Sequence, residues 1–255
     1  KMPAYGSSVA AGRNACILRY RENDALLRDG DLVLIDAGCE IDCYASDITR
    51  TFPVSGTFSA EQKAIYELVL AAQEAAFKEI APGKHWNEAH EATVRVITAG
   101  LLELGLLEGA LDELIAAEAY KPFYMHRAGH WLGMDVHDVG DYKVGGEWRV
   151  LEPGMAMTVE PGIYIAVDNE QVAKKWRGIG VRIEDDVLVT RSGCEILTGG
   201  PPYLERDGDL ITQATRANMQ SVHARLDQCG ADAVMIGSPL AAAHEETCAA
   251  TGRQG

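Results

Sequence analysis

The chain is short of basic residues. It has 23 lysines and arginines against 38 aspartates and glutamates, a formal net charge of −15 over 255 residues. No basic stripe is available to displace counterions from phosphates, which argues against nucleic acid as a partner and, on the same ground, against anionic membrane surfaces. No apolar run reaches eighteen residues, so no membrane span is expected. The first residues lack the apolar core of a signal peptide. Cysteine is sparse and unpatterned: none of Cys16, Cys39, Cys43, Cys194, Cys229 and Cys248 stands in C-x-x-C, and Cys39 and Cys43 have no matching pair to complete a zinc ribbon. All six are expected to be reduced packing thiols of a cytoplasmic protein. There is no G-x-S-x-G, no G-x-G-x-x-G or Walker loop after a strand, and no H-E-x-x-H, so the nucleophile elbow, nucleotide-cofactor and zincin readings have no support. Repeats and low-complexity tracts are also missing.

What is there is an ordinary globular balance of 47% hydrophobic and 24% charged residues, at a length sufficient for a real core. The run "GDLVLIDAG" (30–38) predicts a buried strand ending at Asp36, and "SDITRTFPV" (46–54) a second strand stopping near Pro53. Ser59 with Gln62 three residues on predicts a capping box. Behind it, Ile65, Leu68, Val69, Ala72 and Ala76 form one stripe of a helix that Ala-Pro-Gly ends after Ile80. A second helix is expected from Asn87 to Gly105, carrying Val94, Ile97 and Leu101, and a short third one over "ALDELIAAEAY". "GMAMTVEPGIYIAV" (154–167) reads as strand, Pro-Gly turn, strand. In "GVRIEDDVLVT" (180–190), alternation puts Val181, Ile183, Val187 and Val189 on one face and Arg182, Glu184 and Asp186 on the other, which composition alone favours as solvated. Beyond Tyr203, residues 213–228 are expected to be helical, "ADAVMIG" a strand and the end a loose tail. Strands and helices come in runs, so the expected class is α+β.

Four acidic residues stand at or near strand ends: Asp36, Asp47, Glu160 and Glu184. A hairpin would bring Asp36 and Asp47 side by side. Taken singly, the aspartates also suit turns and the glutamates a wet surface. Together with the histidine-rich stretch "YMHRAGHWLGMDVHDVG" (124–140), they can supply a site for two divalent ions. Four carboxylates would leave one zinc with a large buried excess of charge, and hard oxygen donors favour manganese. Two such ions, about 3.5–4 Å apart and bridged by hydroxide, make a water nucleophile at neutral pH and clamp a carbonyl oxygen. Gly129 and Gly133 beside His130 predict an irregular or extended backbone there.

"VLIDAG", "DITRTFPV", "GHWLGMDVHD", "TVEPGIYI" and "RGIGVRIEDDVLVT" follow one another in an order and spacing that resemble the pita-bread metallopeptidases, most of all the bacterial Xaa-Pro aminopeptidases, also called aminopeptidase P. The resemblance covers roughly residues 4–200. It implies a pita-bread fold over residues 1–205, a curved antiparallel-rich sheet with flanking helices, with 206–255 an extension of unknown role. It implies removal of an N-terminal residue ahead of proline from peptides, with two divalent ions, manganese favoured. Asp36 would bind one ion, Asp47 and Glu184 would bridge both, and His130 and Glu160 would complete the second, with Glu160 also moving protons. His137 would contact substrate and the developing oxyanion, and His126 would line the pocket. Tyr164 and Arg182 match supporting positions near the site; Arg182 equally suits charge compensation of Glu184 and Asp186. Two departures stand out. Arg19 occupies the place, seventeen residues before Asp36, where the family has a pocket histidine; a guanidinium there could take a substrate carboxylate, or weaken turnover, or turn outward to Glu22. The N-terminal domain usual in the family is expected to be absent, while a homo-oligomer stays open. The competing readings are a prolidase-type Xaa-Pro dipeptidase, a methionine aminopeptidase, whose flanking motifs fit less well, and a non-catalytic pita-bread protein that binds peptides or partners.

Overall fold

A computed structural model describes residues 2–198. The helix and strand expected beyond Tyr203, and the extension at 206–255, lie outside the described residues. In chain order the elements are β1 (Met2–Pro3), β2 (Ser8–Ala11), β3 (Leu32–Asp36), β4 (Cys39–Ile41), β5 (Tyr44–Ala45), β6 (Thr49–Pro53), α1 (Ala60–Lys78), α2 (Trp86–Glu103), α3 (Leu111–Ala116), β7 (Lys143–Val144), β8 (Glu147–Trp148), β9 (Ala156–Val159), β10 (Gly162–Tyr164), β11 (Gly180–Arg182), β12 (Asp185–Val189) and β13 (Cys194–Ile196). Every strand pair among them is antiparallel. Helices and strands come in separate runs, as the α+β class requires.

Two long hairpins build the site. In the first, Leu32 to Asp36 pairs with Pro53 to Thr49, and the same register continues through Glu40–Ala45 and Ile41–Tyr44. The turn at its tip is Asp42-Cys43, both at positive φ (52° and 64°), the two-residue geometry that matches strand twist. Where Gly38 faces residues 46–47, the ladder is pinched. A Cβ on Gly38 would overlap the Ser46 carbonyl oxygen, so glycine is what lets the two chains close beside Asp47.

In the second hairpin, Val159 pairs with Asp185 and Gly162 with Arg182. One register therefore runs through β9–β10 and β11–β12 and sets Glu160 opposite Glu184. Pro161-Gly162 is not the turn expected from its sequence: the chain keeps its direction, and the strand is only interrupted. Pro161 has no N–H to give the ladder, and its carbonyl accepts from Ile183 N–H at 3.3 Å. Glu184 N–H turns instead to the Thr49 carbonyl at 3.0 Å, tying the second hairpin to β6 of the first. The predicted single strand over 180–190 is broken at that point.

The expected helices form. Ser59 and Gln62 make the reciprocal capping box, and α1 buries Ile65, Val69, Ala72 and Ala76 with Tyr66 and Gln73. α2 buries Val94, Ile97 and Leu101. α1 packs on β10 and β11 of the second hairpin and α2 packs on α1, and their buried residues share one core with Ile163, Val181 and Ile183. Each fully buried Ile or Val there contributes roughly 1.5–3 kcal/mol, so the helices act as a stiff backing for the strands that carry the acidic residues. The charged face of 180–190 is not solvated. Arg182, Glu184 and Asp186 are 4%, 1% and 2% exposed, because the Asp47–Thr51 stretch of the first hairpin bonds across them.

Cys39 is disulfide-bonded, which corrects the expectation of six reduced thiols, whereas Cys16, Cys43 and Cys194 are free. Among the described residues no helix is long and apolar enough to cross a membrane.

Candidate metal centre

The interruptions of the second hairpin aim Glu160 and Glu184 at the first, and five ligand candidates converge. Donor atoms of Asp36, Asp47 and Glu184 lie within 4.8 Å of one another, as do those of His130, Glu160 and Glu184. Glu184 belongs to both groups. Asp47 approaches the second group too, with Oδ2 3.4 Å from His130 Nε2, while Glu160 Oε1 lies 3.5 Å from the same nitrogen.

His130 reaches this place on an extended segment. Thr158 N–H donates to the His130 carbonyl and Glu160 N–H to the Ala128 carbonyl, at 2.9 and 2.8 Å, so residues 128–132 run antiparallel to β9. Gly129 permits the approach, since a Cβ would overlap the Thr158 carbonyl oxygen. The ring's Nδ1 lies 2.9 Å from the Trp131 carbonyl, which can only accept. Nδ1 therefore carries the proton, and in the neutral ring Nε2 presents a lone pair to the carboxylates. Against burial, the Asp47 hydrogen bond and the Glu160 charge raise the ring's basicity, so this nitrogen takes up a cation, either a proton or a metal ion. Glu184 makes the same point: Oε2 accepts from Thr49 Oγ1 at 2.6 Å, while Oε1 is buried without a partner.

The electrostatics agree. Burial first, then the Asp47, Glu160 and Asp36 charges, pushes the Glu184 carboxyl well up. Burial likewise raises Asp36, against the pull of Arg182, and takes Glu160 up to about 7. Carboxylates this crowded and dry resist ionising unless cations neutralise them. The donor set thus fits two dications.

Around the ligand candidates runs a directed hydrogen-bond network. Arg182 Nη2 pairs with Asp36 Oδ2 at 2.6 Å, Nε donates to Thr49 Oγ1 at 3.1 Å, and Nη1 donates to Tyr164 Oη at 3.1 Å. The ion pair of Arg182 is with Asp36, not with Glu184 or Asp186. His126 Nδ1 lies 2.8 Å from the Arg127 carbonyl, so it holds the proton and Nε2 accepts from Tyr164 Oη, also at 2.8 Å. Burial, the largest influence on its ring, takes His126 down to about 4, and burial lifts Tyr164 up to about 12, so both keep these roles at neutral pH. Both ring nitrogens of His126 are thereby engaged inside the protein. His137 is exposed, its ring edge-on to His130 at 4.4 Å between centroids. Burial, His130 and Arg19 lower its basicity, in that order. Arg19 is exposed, and of its three alternatives the pairing with Glu22 does not form among the described ion pairs.

Three residues here escaped sequence reasoning. Tyr5 places its hydroxyl on Asp36 Oδ1 at 2.6 Å and on Asp47 Oδ1, and burial with the Asp47 and Asp36 charges holds its proton on far above the ordinary phenol range. Thr49 orients Glu184. Asp186 accepts the Asp47 backbone N–H at 3.1 Å. Nothing local marks Tyr5 or Thr49; Asp186 stood on the charged face but without an assigned partner. A separate cavity of about 480 Å³ between α2, α3 and Trp148 contains none of the ligand candidates.

Residues 1–191 match the family described as Metallopeptidase family M24. A relative from Haemophilus influenzae named Xaa-Pro aminopeptidase is 56% identical over 202 residues, 79% of this chain and 46% of the relative. Among solved structures, the aminopeptidase PepP of Pseudomonas aeruginosa is similar at a TM-score of 0.81 and 79% identity, covering 85% of this chain and 49% of that one. Proline aminopeptidase P II of Yersinia pestis is similar at 0.78 and 52% identity, covering 84% and 48%. The chain spans about half the length of the curated relatives it matches.

Proposed function

This chain belongs to metallopeptidase family M24 and has its pita-bread fold, and from that premise we propose that it is a dimetal Xaa-Pro aminopeptidase, a hydrolase that releases an N-terminal residue preceding proline. One observation carries the proposal: donor atoms of Asp36, Asp47, His130, Glu160 and Glu184 crowd into two groups that share Glu184, whose buried Oε1 has no partner. Asp36, Asp47 and Glu184 would hold one ion, and His130, Glu160 and Glu184 the other, with Asp47 reaching toward both. When bound, the ions supply an activated water at neutral pH and polarise the scissile carbonyl. Manganese is the ion that this oxygen-rich set favours.

The chain's own residues supply the rest. Glu160, with Oε1 3.5 Å from His130 Nε2 in the same donor group, is placed to take the attacking water's proton and return one to the leaving amine. His137 stands exposed beside His130, where its ring can donate a hydrogen bond to the carbonyl oxygen as charge develops. His126, with both nitrogens committed, keeps Tyr164 and Arg182 in place and forms part of the pocket wall. Arg182 fixes Asp36 while its charge offsets one carboxylate. We place the catalytic unit within residues 1–205, in a cytoplasmic setting.

The dipeptidase reading has one observation of its own. Arg19 is exposed near His137, where a guanidinium suits the terminal carboxylate of a dipeptide. A panel of Xaa-Pro and Xaa-Pro-Xaa peptides assayed with manganese tests both: release from the longer peptides supports the aminopeptidase, and cleavage of dipeptides alone the prolidase. A metal-reconstituted protein that holds only trace metal and cleaves neither overturns both and leaves a peptide-binding role.

A further inference from the structure

Tyr5 stands outside the ligand set, yet its hydroxyl meets two of the ligand candidates at once, Oδ1 of Asp36 and Oδ1 of Asp47. Its placement is built rather than incidental. Ala4 N–H bonds the Gly38 carbonyl at 3.0 Å, pinning the residue before it. The Tyr5 ring lies across Gly38, with Cε1 2.8 Å from where a Cβ would stand. The missing Gly38 side chain therefore admits the ring as well as the chain crossing at Ser46.

The two ion positions differ in what orients their donors. In the His130, Glu160 and Glu184 group, the ring is set by the Trp131 carbonyl, and Thr158 Oγ1 reaches Glu160 Oε1 at 3.3 Å. Glu184, common to both groups, is set by Thr49. None of these contacts involves Tyr5. In the Asp36 and Asp47 group, one oxygen of Asp36 is held by Arg182, and the facing oxygens of the two aspartates meet at the Tyr5 hydroxyl. Arg182 holds Asp36 and His130 Nε2 lies 3.4 Å from Asp47 Oδ2, but among the described contacts only the Tyr5 hydroxyl joins the two aspartates to each other.

We propose that Tyr5 is a positioning residue that ties Asp36 to Asp47 and so sets the affinity of one of the two ion positions, the one built by Asp36, Asp47 and Glu184. The proposal rests on the dimetal reading. A role confined to packing would leave ion affinity alone, and a general weakening of the centre would lower both affinities together.

The test is Tyr5→Phe, which keeps the ring and removes the hydroxyl. Full-length wild type and variant are stripped with chelator and titrated with manganese in a calorimeter. The expected result is two ions per chain in both, with one affinity lowered about 10–100-fold in the variant, the usual effect of removing a partner that orients a ligand, and the other changed by less than about threefold. Circular dichroism and the thermal midpoint of the metal-free proteins should match. Two unchanged affinities, or two lowered equally, overturn the role of Tyr5 and leave the dimetal reading standing. A wild type that binds fewer than two ions overturns that reading and the proposal with it.

Discussion

Tyr164→Phe looks conservative, but the network makes it costly. Among the described residues the hydroxyl alone links Arg182 and His126 by hydrogen bonds: it accepts from Nη1 at 3.1 Å and donates to Nε2 at 2.8 Å. Tyr164 is 2% exposed and Arg182 4%, so water does not readily replace the lost oxygen. Phenylalanine strands one guanidinium N–H and one imidazole lone pair. A stranded buried polar group costs about 1–3 kcal/mol, so the expected loss is about 2–4 kcal/mol after allowing for the polar oxygen that no longer needs burying. The measurement is urea unfolding of the metal-free protein near pH 7.5, where His126 is neutral, with the slope unchanged between variants. His126→Phe removes the lone pair from the other side. A cycle of the two substitutions should then show a coupling of about 1 kcal/mol or more, because the double variant leaves only Arg182 unsatisfied. A loss below about 0.5 kcal/mol, or no coupling, would refute the assigned donor directions.

Asp47→Ala and His130→Ala are each expected to abolish manganese-stimulated release from Xaa-Pro peptides and to lower bound metal in elemental analysis; substantial activity surviving either change sinks the ligand assignment. Arg19→His should raise kcat/KM on Xaa-Pro-Xaa peptides, and an unchanged or lower value counts against a pocket position for Arg19. Burial takes His90 down to about 4 from an ordinary 6.5, and its Nδ1 is buried without a partner. The folded state keeps this ring neutral while the unfolded state binds protons below about pH 6.5, so its stabilising contribution is present above that pH and is lost as pH falls toward 4. Wild type should therefore lose about 1–2 kcal/mol more than His90→Gln between pH 7.5 and 5, read by urea unfolding at each pH; parallel losses would refute the burial argument. Saturating metal-free protein with manganese at a hundred times its dissociation constant should add about 2.7 kcal/mol per site, and an unmoved thermal midpoint would speak against either ion position.

Much of the scaffold was legible because its signals are local. The Ser59–Gln62 box and the stripe of Ile65, Val69, Ala72 and Ala76 specify α1 without help from elsewhere. Asp36 does close the apolar strand that was expected to end there. Pro161-Gly162 misled, because the pair signals a turn by local statistics while the register of the facing strand holds the chain straight. The charged alternation of 180–190 misled for the same reason: whether such a face meets water depends on what packs over it.

By itself the sequence determined the class of structure, the helices, and the types of donor available for metal: aspartates and glutamates near strand ends and one histidine among glycines. Tertiary structure decided which of them meet. The opposed placement of Glu160 and Glu184, the pinch at Gly38 that sets Asp47 by Asp36, the proton on His130 Nδ1, and the reach of Tyr5 to two aspartates each depend on partners distant along the chain. Propensity and periodicity act over a turn or a strand. Strand register and the burial of a polar face are settled only when separate hairpins pair and pack, and those events gather the charged donors into one place.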